Sequence, residues 1–246
     1  MKFVKTTNLG LVSFVIAVSI WSFRSSNTLG TESSIQNNKH SIPDSLFNAY
    51  WYADNAEIST YNLTQSRYGE LHQGLATVIF VTESVSKKKG IKPDNYRKKG
   101  DHVPVLKMNL LKKFGTGIYP YSMMLSTFTP LDEPLGMIKS SASGQEWCGH
   151  IFSQMNQRKK QYDVVSYSYF EEEGDSQFNL PFVFTEDEIW SRIRLNYKSL
   201  PTGEIKLIPG LYYTRLEQHK LEAESAKARL DIDKTCLLYT SDAADE

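Results

Sequence analysis

Apolar and polar residues alternate along most of this chain, and a period of two predicts β-strands. The clearest run is 117–129, where Tyr119, Tyr121, Met123, Leu125 and Thr127 fall on one face and Ile118, Ser122, Met124, Ser126 and Phe128 on the other. Alternation predicts further strands over 57–64, with a bulge or change of face near Thr60, and over 103–111, 137–143, 146–157 and 162–171. Residues 74–82 are instead continuously apolar and β-branched, the pattern of a central strand buried on both faces. Turn residues punctuate the series at Tyr68-Gly69-Glu70, at 130–134, at Gly144 and at Arg158-Lys159-Lys160. Two segments break the period. Pro43 and Asp44 predict a short helical turn presenting Leu46, Phe47, Tyr50 and Trp51. Thr185-Glu186-Asp187-Glu188 is a capping box that opens a helix carrying Ile189, Trp190 and Ile193 and ending near Asn196. Strands at 204–208 and 211–216 flank Pro209-Gly210, and 218–231 reads as a short helix or an exposed strand. The fold class this predicts is mainly β: an antiparallel meander forming a curved sheet or open barrel with one packed helix.

The ends of the chain have a different character. Lys2 and Lys5 precede an apolar run over 9–23, which predicts a secretory signal peptide or an uncleaved N-terminal anchor in 1–23. The chain is then exported, periplasmic or tethered facing the periplasm, and touches membrane only through this segment. Residues 24–41 are polar with few large apolar side chains, as a linker is. A single β-rich domain is expected over 42–235. Residues 236–246 resemble a translated sequencing adapter, so they are expected to be foreign to the fold, with the natural chain continuing past Thr235.

Charge and cysteine content narrow the chemistry. With 28 basic and 28 acidic residues there is no global field to attract nucleic acid, which is excluded as a partner. Without Cys236, Cys148 is the only native cysteine of the sequence, and it is then free or paired with a residue beyond Thr235. The sharpest cluster is Glu146-Trp147-Cys148-Gly149-His150. On a continuous strand Glu146, Cys148 and His150 would point the same way, about 7 Å apart. That arrangement suits a hydrolase, the alternative reading of this chain, but a zinc site needs three or four ligands and none is nearby. No phosphate loop, nucleophile elbow or His-Glu-x-x-His pair occurs, so no cofactor or metal is predicted. The acidic run 171–175 lacks calcium-loop spacing and reads as a solvated hairpin tip, and the basic run 87–99 as an exposed loop. Aromatic residues make up 12% of the chain, which raises the weight of a binding face. Tyr119 and Tyr121 beside Glu146, Trp147, Cys148 and His150 are the predicted ligand-binding residues, suited to a lipid, a glycan or an envelope protein.

At Tyr50-Trp51-Tyr52, 116–122, 145–149 and Leu200-Pro201-Thr202-Gly203 the sequence resembles a family of secreted or lipid-anchored envelope proteins of Gram-negative bacteria, over about residues 44–231. The family implies no activity, cofactor or catalytic residue. Its members are often called septum formation inhibitor Maf, which implies a nucleotide pyrophosphatase with an N-terminal Ser-x-Ser-Pro-Arg-Arg motif. This chain has no such motif, and it has no cysteine after the apolar run to carry a lipid. The reading that results is a non-enzymatic exported envelope protein that binds through an aromatic-rich sheet face.

Overall fold

The computed structural model describes residues 2–5, 44–86, 88–94, 102–132 and 136–231; the rest of the expected leader and linker, and the adapter-like tail, lie outside them. The predicted alternation becomes eight strands in an antiparallel meander: β2 (Asn55–Arg67), β3 (Glu70–Ser86), β4 (His102–Thr116), β5 (Tyr119–Pro130), β6 (Lys139–Glu146), β7 (Gly149–Arg158), β8 (Gln161–Ser168) and β9 (Ser176–Pro181). A short strand β1 (Lys2–Lys5), where the basic start of the leader is expected, lies parallel to the beginning of β2. Neighbours in the sheet are neighbours in sequence throughout, and the sheet stays open.

The two faces of the sheet divide the work. One row of paired residues, Phe80, Met108, Thr127, Ser140, Met155 and Val164, crosses from β3 to β8 and is buried along its whole length. A row three residues further toward one end of the strands falls on the opposite face: Thr77, Leu111, Met124, Ser143, Phe152 and Tyr167 are half-buried or exposed. The first face is the core because three helices cover it. Helix α1 (Asp44–Trp51) inserts Phe47 and Trp51, with the Trp51 carbonyl accepting from the Thr82 hydroxyl at 2.5 Å. Helix α2 (Ile189–Asn196) adds Leu195, and α3 (Leu211–Leu216) adds Leu211, Tyr212 and Leu216. A small second sheet, β10 (Phe184–Thr185), β11 (Gly203–Ile208) and β12 (Glu224–Ala228), carries the buried Ile208.

Several expectations are corrected. The β2–β3 register is unbroken from Ala56 to Arg67, so Thr60 is not a bulge; the apparent change of phase arises because Ile58 sits on the outer face and Tyr61 and Leu63 on the inner. Residues 74–82 are not buried on both faces along their length: Leu75 is exposed on the outer side of β3, and only toward its end, at Val81 and Val85, is that side buried. Residues 211–216 are a helix, not a strand. Leu211, Tyr212, Arg215 and Leu216 are buried at helical spacing, and the preceding turn is held by acidic side chains. The Gly210 N–H donates to Glu186 at 2.8 Å and the Leu211 N–H to Asp187 at 3.2 Å. Helix α3 therefore packs on the sheet beside the expected capped helix and the expected helical turn at Asp44, which extends to Trp51.

Those acidic side chains come from the capping box, which forms as its sequence predicts: the Glu188 carboxylate accepts from the Thr185 backbone N–H at 3.1 Å. A 3-10 turn over Glu186–Glu188 precedes α2 proper. Glu188 is fully buried and pairs with Arg192 at 3.1 Å, while Asp187 is buried and accepts from the Ser140 hydroxyl at 2.8 Å. Burial pushes the Asp187 carboxyl up to about 7 and raises that of Glu188 as well. Helix α2 presents Arg192 and Leu195 inward and leaves Ile193 of the expected face exposed, while Trp190 of that face packs half-buried against the core.

Candidate functional site: an aromatic end of the sheet

In a meander every second turn lies at the same end of the sheet. Here the β2–β3, β4–β5 and β6–β7 turns and the chain leaving β8 share one end, although they come from positions 68, 118, 147 and 169. Two-residue turns join the first three pairs: Tyr68-Gly69, Gly117-Ile118 and Trp147-Cys148. Positive φ at Tyr68 (54°), Gly69 (79°) and Gly117 (63°) matches the twist of the flanking strands and throws the tip side chains outward. Ile118 is 86% exposed, Tyr68 72%, Tyr169 70% and Trp147 64%, with Leu71 close behind the first tip at 73%.

Beneath the tips the rings are linked across the strands. Phe114 and Tyr121 stack at 4.7 Å, Tyr121 meets Tyr119 at 5.2 Å, and Tyr119 meets Trp147 at 5.3 Å. The Arg67 guanidinium lies 4.1 Å over the Tyr68 ring, and its side chain also donates to the Leu216 carbonyl at the end of α3. On the other flank Gly149 makes room for Tyr169: a Cβ there would stand 2.6 Å from that side chain. Tyr169 leans on Phe170, whose ring is capped by Arg215 at 4.4 Å.

A charged network backs the rings. Arg215, projecting from α3, pairs with Glu146 and, at 3.3 Å, with Glu173, which accepts from the Ser168 hydroxyl at 2.9 Å. The Tyr119 hydroxyl donates to Glu146 at 3.2 Å and accepts from the Cys148 backbone N–H at 2.8 Å. Desolvation, followed by the Cys148 side chain and the Glu146 charge, pushes the Tyr119 phenol up to about 12 against the opposing pull of the Cys148 backbone N–H, so it stays a neutral donor. The space enclosed by Tyr121, Met123, Glu146, Ile151, Arg215 and Leu216 holds about one water. Above it, an apolar concavity along Phe114, Gly117, Ile118 and Pro120 opens broadly to solvent.

The expected site residues therefore separate. Tyr119 and Trp147 belong to the aromatic end. Tyr121 does not offer an accessible ring: it is 5% exposed, because odd positions of β5 face the core. Glu146, Cys148 and His150 do not point the same way, because the chain turns at Trp147-Cys148 instead of running straight. Glu146 pairs with Gly149 on the inner face and is buried in its ion pair, Gln145 pairs with His150 on the outer face, and Cys148 is a free, exposed thiol at the tip. Their failure to converge removes the geometry on which the hydrolase reading depends. Among the described residues no three His, Cys, Asp or Glu side chains gather as metal ligands. Outside the expected site residues the aromatic end also holds Tyr68, Ile118, Arg67 and Arg215, together with Tyr169, whose ring the Tyr167-Ser168-Tyr169 spacing already marks as projecting. The Tyr68-Gly69 turn was visible, and an aromatic at a turn is the signal that could have drawn attention to it.

No family model, curated protein or solved structure matches this chain. Among the described residues no helix is long and apolar enough to cross a membrane.

Proposed function

We propose that this chain is a non-enzymatic, exported envelope protein whose contact surface is the aromatic end of its sheet. The observation that carries the reading is the joint exposure of Tyr68, Ile118, Trp147 and Tyr169 on a backing of ion pairs and stacked rings. Large apolar side chains clustered at one place on a surface mark contact sites, and a rigid backing lowers the entropy lost on contact. The concavity beside Ile118 opens broadly to solvent, which favours an extended partner over an engulfed small molecule. Export is supported by the basic and apolar start of the sequence.

The test is a Tyr68→Ser, Trp147→Ser, Tyr169→Ser triple variant, mixed with a Gram-negative envelope preparation and sedimented. We expect the parent's near-ultraviolet circular dichroism to be largely kept and retention by the envelopes to fall at least tenfold. Undiminished retention by a folded variant would remove this end as the contact surface. His150→Ala, on the outer face, should leave retention unchanged.

A further inference from the structure

We infer that the aromatic end seats on an uncharged lipid surface, one of zwitterionic headgroups, with Ile118 and Leu71 entering the acyl boundary and Tyr68, Trp147 and Tyr169 lying at headgroup level. The inference rests on reading this end as the contact surface.

The side-chain chemistry separates lipid from the other candidates. Ile118 and Leu71 are among the most exposed large apolar side chains of the described residues, and neither has a polar atom. A glycan offers an aliphatic tip nothing to bury into. A protein partner would need a separate pocket for each of several tips drawn from distant turns, whereas a fluid bilayer accommodates any set of apolar tips presented at one end. Tyr and Trp, with apolar bodies and polar atoms, suit the boundary between acyl chains and headgroups. The rings are also held at their height by the Arg67 and Arg215 contacts behind them.

Charge decides the kind of lipid. The exposed ionic groups around this end are mainly acidic: Glu70, Glu171, Glu172 and Asp175 against Lys113. Anionic headgroups would be repelled. Lys88 and Lys89, both exposed, follow β3 and so lie at the opposite end of the sheet. An anionic surface would attract that end instead and turn the aromatic tips away from it.

Cys148, beside Trp147, gives a local probe. The full chain carrying Cys236→Ser, labelled at Cys148 with an environment-sensitive fluorophore, is titrated with phosphatidylcholine vesicles. Because the dye reports only the tip, binding through the apolar segment 9–23 does not imitate the signal. The expected result is a blue-shifted, saturable emission that survives about 0.5 M salt, where exposed charges are screened. Replacing half the lipid with phosphatidylglycerol should weaken the response several-fold. Ile118→Asp with Leu71→Asp should weaken it at least tenfold. Emission that ignores saturating vesicles, or that is equal in the double variant, overturns the lipid assignment. If the dye stays silent while the triple serine variant still loses envelope retention, lipid is wrong and the contact surface stands with a protein or glycan partner. If retention is also unchanged, the contact surface itself is wrong.

Discussion

Arg215 is the place where the fold and the candidate site can be tested by one substitution. Its guanidinium is 7% exposed and lies between Glu146, equally buried, and Glu173, with the Phe170 ring beneath it. Arg215→Met keeps most of the volume and removes the charge, leaving Glu146 ionised in a closed site with the Tyr119 hydroxyl as its remaining side-chain partner. Removing one member of a buried pair costs about 3–5 kcal/mol, most of it the uncompensated charge that remains. We expect the lower half of that range, near 3 kcal/mol, because Glu146 keeps the Tyr119 hydrogen bond. Adding Glu146→Gln should then recover about 2 kcal/mol, since the amide carries no charge to strand. Urea unfolding of the parent, both single variants and the double variant measures the coupling directly. A loss below about 1 kcal/mol for Arg215→Met, with no recovery in the double variant, would mean that these charges are solvated, and the backing of the aromatic end would lose its basis.

Two further outcomes follow from the same structure. Tyr121→Ala should cost about 3–5 kcal/mol, because its ring is buried against Phe114, whereas Tyr169→Ala should stay within about 1 kcal/mol; equal losses in thermal or urea unfolding would contradict the division between core and tip. Asp187 titrates near 7 in the folded chain against an ordinary 3.8, so the folded state holds the proton more tightly between those values. The stability this contributes is full below about pH 4 and is lost as pH rises through 7. Asp187→Asn should therefore lessen the fall in unfolding free energy between pH 5 and pH 8, by at most about 3 kcal/mol, and an unchanged pH slope would refute the assignment.

Strand after strand was legible in this sequence because period two survives wherever one face is buried and the other is not. The odd positions of β5 show it best: Tyr121, Met123, Leu125 and Thr127 were placed on one face from spacing alone, and all are buried together. What spacing could not say was whether that face was open or covered. The cover is made by α1, α2 and α3, and α3 was misread because Leu211 to Leu216 is short, apolar and aromatic, a composition that strands and helices share. The turn at Trp147-Cys148 was missed for a related reason. It carries no glycine or proline of its own and no positive φ, so Gly144, two residues inside β6, was the stronger but misleading signal.

That one misplaced turn changes the chemistry assigned to the chain. With a strand through 146–150, a carboxylate, a thiol and an imidazole line up and suggest catalysis. With a turn at 147–148, the carboxylate goes inward to Arg215, the imidazole goes outward, and the thiol and the indole are left at the tip. The residues that then draw attention are not the reactive ones but those whose exposure has a free-energy cost: Ile118, Leu71, Tyr68, Tyr169 and Trp147. An apolar side chain at one turn is ordinary on a protein surface, whereas four successive features at one end of a meander, each tipped with a large apolar side chain, form a patch. The same ring set is anchored by Arg67 to the last carbonyl of α3 and by Arg215 to the body of α3. Helix α3 is in turn held at its start by Glu186 and Asp187. The tips are thus braced from the core through a single short helix, so substitutions in the acidic turn at 186–188 reach the contact surface by way of α3 rather than through the sheet.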